Sequence, residues 1–159
     1  MLKYIDTLVG FSEIPDEITL CINISNCPNN CEGCHSPWLN KDEGTPLTYV
    51  ELKSLINKNK GITCVCFMGG DKEPWEIQRL AKLIQEDFDI KVGWYSGKDE
   101  IWEDIDLTYF DYVKIGSYKK DLGPLNSPTT NQILYKVIHT EVSTVMMDIT
   151  YLFWKKHGS

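Results

Sequence analysis

ITCVCFMGGDKEPW, residues 62–75, decides the fold. Its first seven residues form a continuous apolar run of strand length, the pattern of a strand covered on both faces. Gly69 and Gly70 end the run with permissive backbone, and Pro74 suits the first turn of a helix. Ile77, Leu80, Ala81, Ile84 and Phe88 then recur at helical spacing to about residue 88. Strand, tight turn and helix in this order predict the first half of a parallel βαβ unit.

Working outward, EITLCINIS (17–25) alternates Ile18, Leu20, Ile22 and Ile24 with Thr19, Cys21, Asn23 and Ser25, as a strand with one apolar face does. Thr48 with Glu51 three positions on is a capping box, and Leu52, Leu55 and Ile56 continue it as a helical stripe. Downstream, DIKVGWYS (89–96) and FDYVKIG (110–116) predict two more strands, with KDEIWEDI (98–105) a short helix between them. About four βα units are countable, too few to close an eight-fold barrel. The expectation is α/β: an open, partial (βα) barrel of parallel strands in a single domain over 1–159. ILYKVIHT (133–140) and VMMDITYLFW (145–154) predict a C-terminal β extension, as a terminal hairpin or an added edge. No repeat or low-complexity tract interrupts the chain.

The formal charge of −7 and scattered lysines disfavour nonspecific binding to phosphate backbones, so nucleic acid is not an expected partner. No run of about 18 apolar residues is present, so no membrane span is expected. The first twenty residues lack the basic start, apolar stretch and cleavage site of a signal peptide, and a cytoplasmic location is expected. Six cysteines are then expected as reduced thiols. Cys21, Cys64 and Cys66 lie in β-like apolar runs and read as packing residues, although a redox task is left open.

Cys27, Cys31 and Cys34 are different. They crowd into NCPNNCEGCHSPW (26–38), directly after the strand over 17–25. A structural zinc site takes four ligands, commonly as two separated pairs, and His35 is too close in sequence to Cys34 for both to reach one tetrahedral ion with ease. Cys31 to His35 matches the attachment signal for c-type haem but leaves Cys27 unused. A [4Fe–4S] cube accounts for all three thiolates: one loop holds three irons and the fourth iron keeps an open position. Pro28 and Gly33 suit the bends, and amides from Asn29 to Gly33 are placed to donate to the sulfides.

CxxxCxxC at the carboxyl end of a first strand resembles the radical S-adenosylmethionine (SAM) superfamily. The resemblance implies that Cys27, Cys31 and Cys34 ligate the cluster, whose unique iron chelates SAM. In that family the reduced cluster cleaves the sulfonium to give a 5′-deoxyadenosyl radical. Gly69, Gly70 and Asp71 are similar to the superfamily's GGE stretch, which holds the SAM amino group. Asp71 is one methylene shorter than Glu, so contact through its carboxylate and contact through backbone alone both stay open. The alternative reading of the same residues is a strand-to-helix turn with Asp71 capping the helix.

Gly33 before the last cysteine, WYSGK (94–98), FDYVKIGSYKKDLGPLNSP (110–128) and TTNQ (129–132) resemble the activating proteins of the anaerobic (class III) ribonucleoside-triphosphate reductase. Cys34-His35 with Trp38 is also similar to the pyruvate formate-lyase activating enzyme. The chain departs from the family's usual Gly before the first cysteine, with Asn26 there. The resemblance implies hydrogen abstraction from one glycine Cα of the reductase, with flavodoxin or ferredoxin as electron donor. It implies no catalytic residue beyond the cluster ligands. Ser96 is placed either as a strand-end turn former or against SAM, and His35 either on a loop carbonyl or solvent or near the adenine. A short open sheet leaves the cluster edge for a glycine-bearing loop of the protein substrate to cover. Three other functions remain: activation of another glycyl radical enzyme such as pyruvate formate-lyase, radical SAM chemistry on a small molecule, as in a deazapurine synthase, and a passive iron–sulfur electron-transfer module.

Overall fold

In the computed structural model, residues 1–25 and 44–154 are described. They form eight strands and two α-helices: β1 (Lys3–Gly10), β2 (Thr19–Ile24), β3 (Thr45–Pro46), α1 (Tyr49–Lys58), β4 (Cys64–Met68), α2 (Pro74–Asp87), β5 (Lys91–Tyr95), β6 (Tyr112–Ile115), β7 (Ile133–His139) and β8 (Thr144–Asp148). The strands join into one open mixed sheet in the order β3-β1-β2-β4-β5-β6-β7-β8. β2, β4, β5 and β6 are parallel, while both flanks pair antiparallel. The fold is therefore α/β, with the parallel run confined to the four central strands.

Both faces of that centre are covered, which explains the unbroken apolar run over 62–68. Leu20, Ile22, Ile24, Val65, Phe67, Val92 and Trp94 pack on one face against Leu52 and Ile56 of α1 and Ile77, Leu80 and Ile84 of α2. The other face carries Cys64, Cys66 and Tyr112, closed over by Ile14, Leu125 and Ile149 from connecting segments. Half of the expected capping box forms at α1: Thr48 Oγ1 accepts from the Glu51 amide at 3.1 Å, while the Glu51 carboxylate accepts from Tyr4 Oη at 2.9 Å. Pro74 opens α2 as predicted.

The expected elements are corrected and added to at several points. β1 was not anticipated; it is a strand whose outer residues Asp6 and Leu8 are exposed, so its polarity does not alternate cleanly. Residues 98–105 form turns instead of a helix. The Lys98 carbonyl accepts from Gly116 N at 2.7 Å, and Asp99 accepts from Ser117 N at 3.0 Å, so these groups bond across to the segment after β6 rather than along a helix. Only a 3-10 turn, Leu107–Tyr109, precedes β6, and the count of about four βα units falls to two α-helices among the described residues. The C-terminal extension is a β7–β8 hairpin on the sheet edge, but its last part, Thr150–Trp154, is a 3-10 helix. No helix among the described residues is long and apolar enough to cross a membrane.

A buried carboxylate gathers the amino ends of the parallel strands. Glu17, 5% exposed, accepts from Thr63 Oγ1 at 2.6 Å, Lys91 Nζ at 2.7 Å and Tyr112 Oη at 2.7 Å. These residues stand at the starts of β2, β4, β5 and β6. Burial alone raises this carboxyl, but the hydrogen bonds from Lys91, Thr63 and Tyr112 outweigh it and hold Glu17 below the ordinary carboxylate range.

Candidate functional site at the carboxyl ends of the parallel strands

The opposite ends of the same strands carry the residues singled out from sequence. β2 runs out at Ile24 and Ser25 into the cysteine segment. Ser25 is pinned there, its amide donating to the Lys3 carbonyl at 2.9 Å. Cys27, Cys31, Cys34, Gly33 and His35 lie outside the described residues.

β4 runs out at Gly69 and Gly70, both at positive φ, +103° and +87°. Gly69 turns close to the end of β2: a Cβ on it would stand 3.4 Å from the Ile24 carbonyl oxygen. Its amide donates to the Tyr95 carbonyl at 2.9 Å, and its carbonyl accepts from the Trp94 indole at 2.7 Å. At Gly70 a Cβ would meet Ile77 Cδ1 at 2.6 Å, so the helix is packed directly against the turn.

These turns deliver Asp71 across to β5. Its Oδ1 accepts from Ser96 Oγ at 2.5 Å and its Oδ2 from the Gly97 amide at 2.9 Å. Ser96 is 4% exposed, and its Oγ also accepts from the Lys98 amide at 3.1 Å. Asp71 is thus not the cap of α2. Glu73 occupies that position and makes no side-chain cap bond. Of the residues predicted from sequence, Asp71 and Ser96 are hydrogen-bonded to each other, and Gly69 and Gly70 form the turn that carries Asp71 there.

Sequence reasoning missed a further member. Lys114 of β6, 8% exposed, donates to the Ser96 carbonyl at 3.1 Å and the Gly116 carbonyl at 2.9 Å. The signal was present as a lysine inside the apolar run FDYVKIG (110–116). Met68, Tyr95 and Lys114, neighbours in register, line a cavity of about 850 Å³ with Glu13, Leu125 and Phe153. The Tyr95 hydroxyl donates to the Glu13 carbonyl and closes one wall.

Cys21, Cys64 and Cys66 lie buried on the sheet face below this cavity, with Cys21 beside Cys66 in register. Cys66 Sγ sits 3.6 Å from Met68 Sδ. Burial, with Glu13 adding to it, pushes the Cys21 thiol up to about 12, and burial likewise raises Cys64 and Cys66. All three side chains are buried in the sheet, the placement that their sequence setting suggested. Among the described residues no three His, Cys, Asp or Glu side chains gather to hold a metal ion. Trp94 is buried, whereas Trp75 is 60% exposed.

Comparison of the chain with protein-family models, with curated proteins and with solved structures yields no match.

Proposed function

We propose that the chain is an iron–sulfur enzyme of the radical SAM type, with β2, β4, β5 and β6 as the parallel part of an open, partial (βα) barrel. Within that class we assign it the task of an activase that installs a glycyl radical on the anaerobic ribonucleoside-triphosphate reductase. One observation carries this reading: three consecutive parallel strands end side by side, and from them leave the CxxxCxxC segment, the Gly69–Asp71 turn and Ser96.

The residues fit the cofactors. Three thiolates in eight positions are a soft donor set suited to iron in a sulfide cluster, and three ligands leave one iron open. Two glycines at positive φ bring bare backbone to the strand ends, and Asp71 offers a carboxylate suited to an ammonium group. When bound, the cluster and SAM together supply reductive sulfonium cleavage and hydrogen abstraction from a glycine Cα. The chain's own residues do the rest. Cys27, Cys31 and Cys34 ligate the cluster, Gly69 to Asp71 orient the SAM amino group with Ser96 at their side, and Gly33 and His35 belong to the same loop. The cavity beside Tyr95 and Lys114 receives the reductase's glycine loop and keeps water from it. Flavodoxin or ferredoxin supplies the electron.

The cavity's size also falls within the range of small-molecule sites, which favours radical SAM chemistry on a small substrate, as in a deazapurine synthase, as the second reading. Anaerobic reconstitution with iron and sulfide, followed by reduction with SAM, tests both. The activase gives 5′-deoxyadenosine and, with the reductase added, a glycyl EPR doublet. Deoxyadenosine without a doublet turns the assignment to the small-molecule enzyme. Neither product, or a protein that takes up only zinc, overturns the radical SAM reading altogether.

A further inference from the structure

Lys114 is an odd residue for its place. β6 lies between β5 and β7, and its other residues are Tyr112, Val113 and Ile115. An ammonium buried there is desolvated at a cost of several kcal/mol, and a methionine fills similar space without that cost. The ammonium offsets that cost only through its hydrogen bonds to two carbonyls and its place 5.8 Å from the Tyr95 ring centroid.

What the lysine does is local and directional. Its backbone carbonyl accepts from the Ser96 amide at 2.9 Å, while its ammonium donates to the Ser96 carbonyl at 3.1 Å. One residue thus grips Ser96 at its amide and its carbonyl. The same ammonium holds the Gly116 carbonyl at 2.9 Å, and Gly116 N returns to the Lys98 carbonyl at 2.7 Å, closing the turn from the far side. That turn carries the two donors, Ser96 Oγ and Gly97 N, that fix both oxygens of Asp71.

We propose that Lys114 is a positioning residue: by clamping the turn over 96–98 between the ends of β5 and β6 it aims Asp71 for the amino group of SAM. This rests on the radical SAM reading above. It assigns Lys114 no contact with the reacting atoms.

The test uses the full chain, reconstituted anaerobically, as wild type, Lys114→Met and Lys114→Arg. Three quantities are read: iron and sulfide content, SAM affinity by equilibrium dialysis, and hydrogen exchange at the Gly97 and Lys98 amides. In Lys114→Met the cluster content stays at the wild-type value. SAM binds about tenfold more weakly, because the ammonium's bonds to the Ser96 and Gly116 carbonyls are both lost, and both amides exchange faster. Arginine, which also donates to two carbonyls, restores most of the affinity. Should the methionine variant lose its cooperative unfolding transition, Lys114→Gln carries the same three readouts. Unchanged SAM affinity in the uncharged variant with a full cluster overturns the inference, as does unchanged amide exchange. A wild-type protein that holds the cluster but binds no SAM overturns the functional reading and the inference with it. The exchange data then still report whether the clamp exists.

Discussion

Glu17→Gln is the sharpest probe of how the sheet is held. The substitution keeps shape and removes charge from a carboxylate that serves three donors. The Thr63 and Tyr112 hydroxyls each lose a charged acceptor and keep at best a neutral one, a loss of about 1 kcal/mol apiece. The Lys91 side chain is half exposed, at 49%, so its ion pair is screened and contributes only about 0.5 kcal/mol. Together the variant is less stable by about 2.5 kcal/mol at pH 7, which lowers Tm by about 5–10 °C for a chain of this size. The sign of the pH dependence follows from the lowered carboxyl. Its stabilisation is complete above the unfolded-state value of about 4.3 and disappears as pH falls through the lower folded-state value. The gap between wild type and variant, measured by urea unfolding from pH 7 to pH 3, is therefore full at neutral pH and closes below about pH 4. A gap under about 1 kcal/mol at pH 7, or one just as wide at pH 3, refutes the reasoning.

Three further results are expected. Gly70→Ala forces a side chain into positive φ and against Ile77 Cδ1, so it destabilises by about 2–4 kcal/mol; an unchanged urea midpoint contradicts that geometry. Brief alkylation of the native protein at pH 8, read by peptide mass spectrometry, leaves Cys21, Cys64 and Cys66 unmodified until denaturant is added, because burial keeps their thiols protonated. On the proposed iron–sulfur reading, iron and sulfide content after anaerobic reconstitution is unchanged in Cys64→Ala and lost in Cys27→Ala, Cys31→Ala or Cys34→Ala.

The parts of the fold that sequence revealed are those whose cause is local. An apolar run, two glycines and a proline are enough to place β4, its turn and α2, and Thr48 marks the start of α1 by itself. The failures share a different cause. Residues 98–105 carry helix-compatible side chains, but Asp99 and the Lys98 carbonyl find their partners at 116 and 117, which no window around them contains. β1 is defined by its pairing with β2 and not by its own alternation. At the site, Asp71 reads locally as a helix cap, yet its partners Ser96 and Gly97 stand 25 and 26 residues away. Residue types single out Asp71 and Ser96 separately; only the sheet shows that they meet.

The parallel centre also governs how the chain reaches this state. Glu17 must find Tyr112, 95 positions on, and Cys21 must align with Cys66. Pairings of such long range close slowly, on the scale of milliseconds to seconds, and leave CVCFM bare while they form. During synthesis, then, the β4 segment waits as an exposed, uncharged strand until β5 and β6 have left the ribosome, and this interval is when the nascent protein is most open to aggregation.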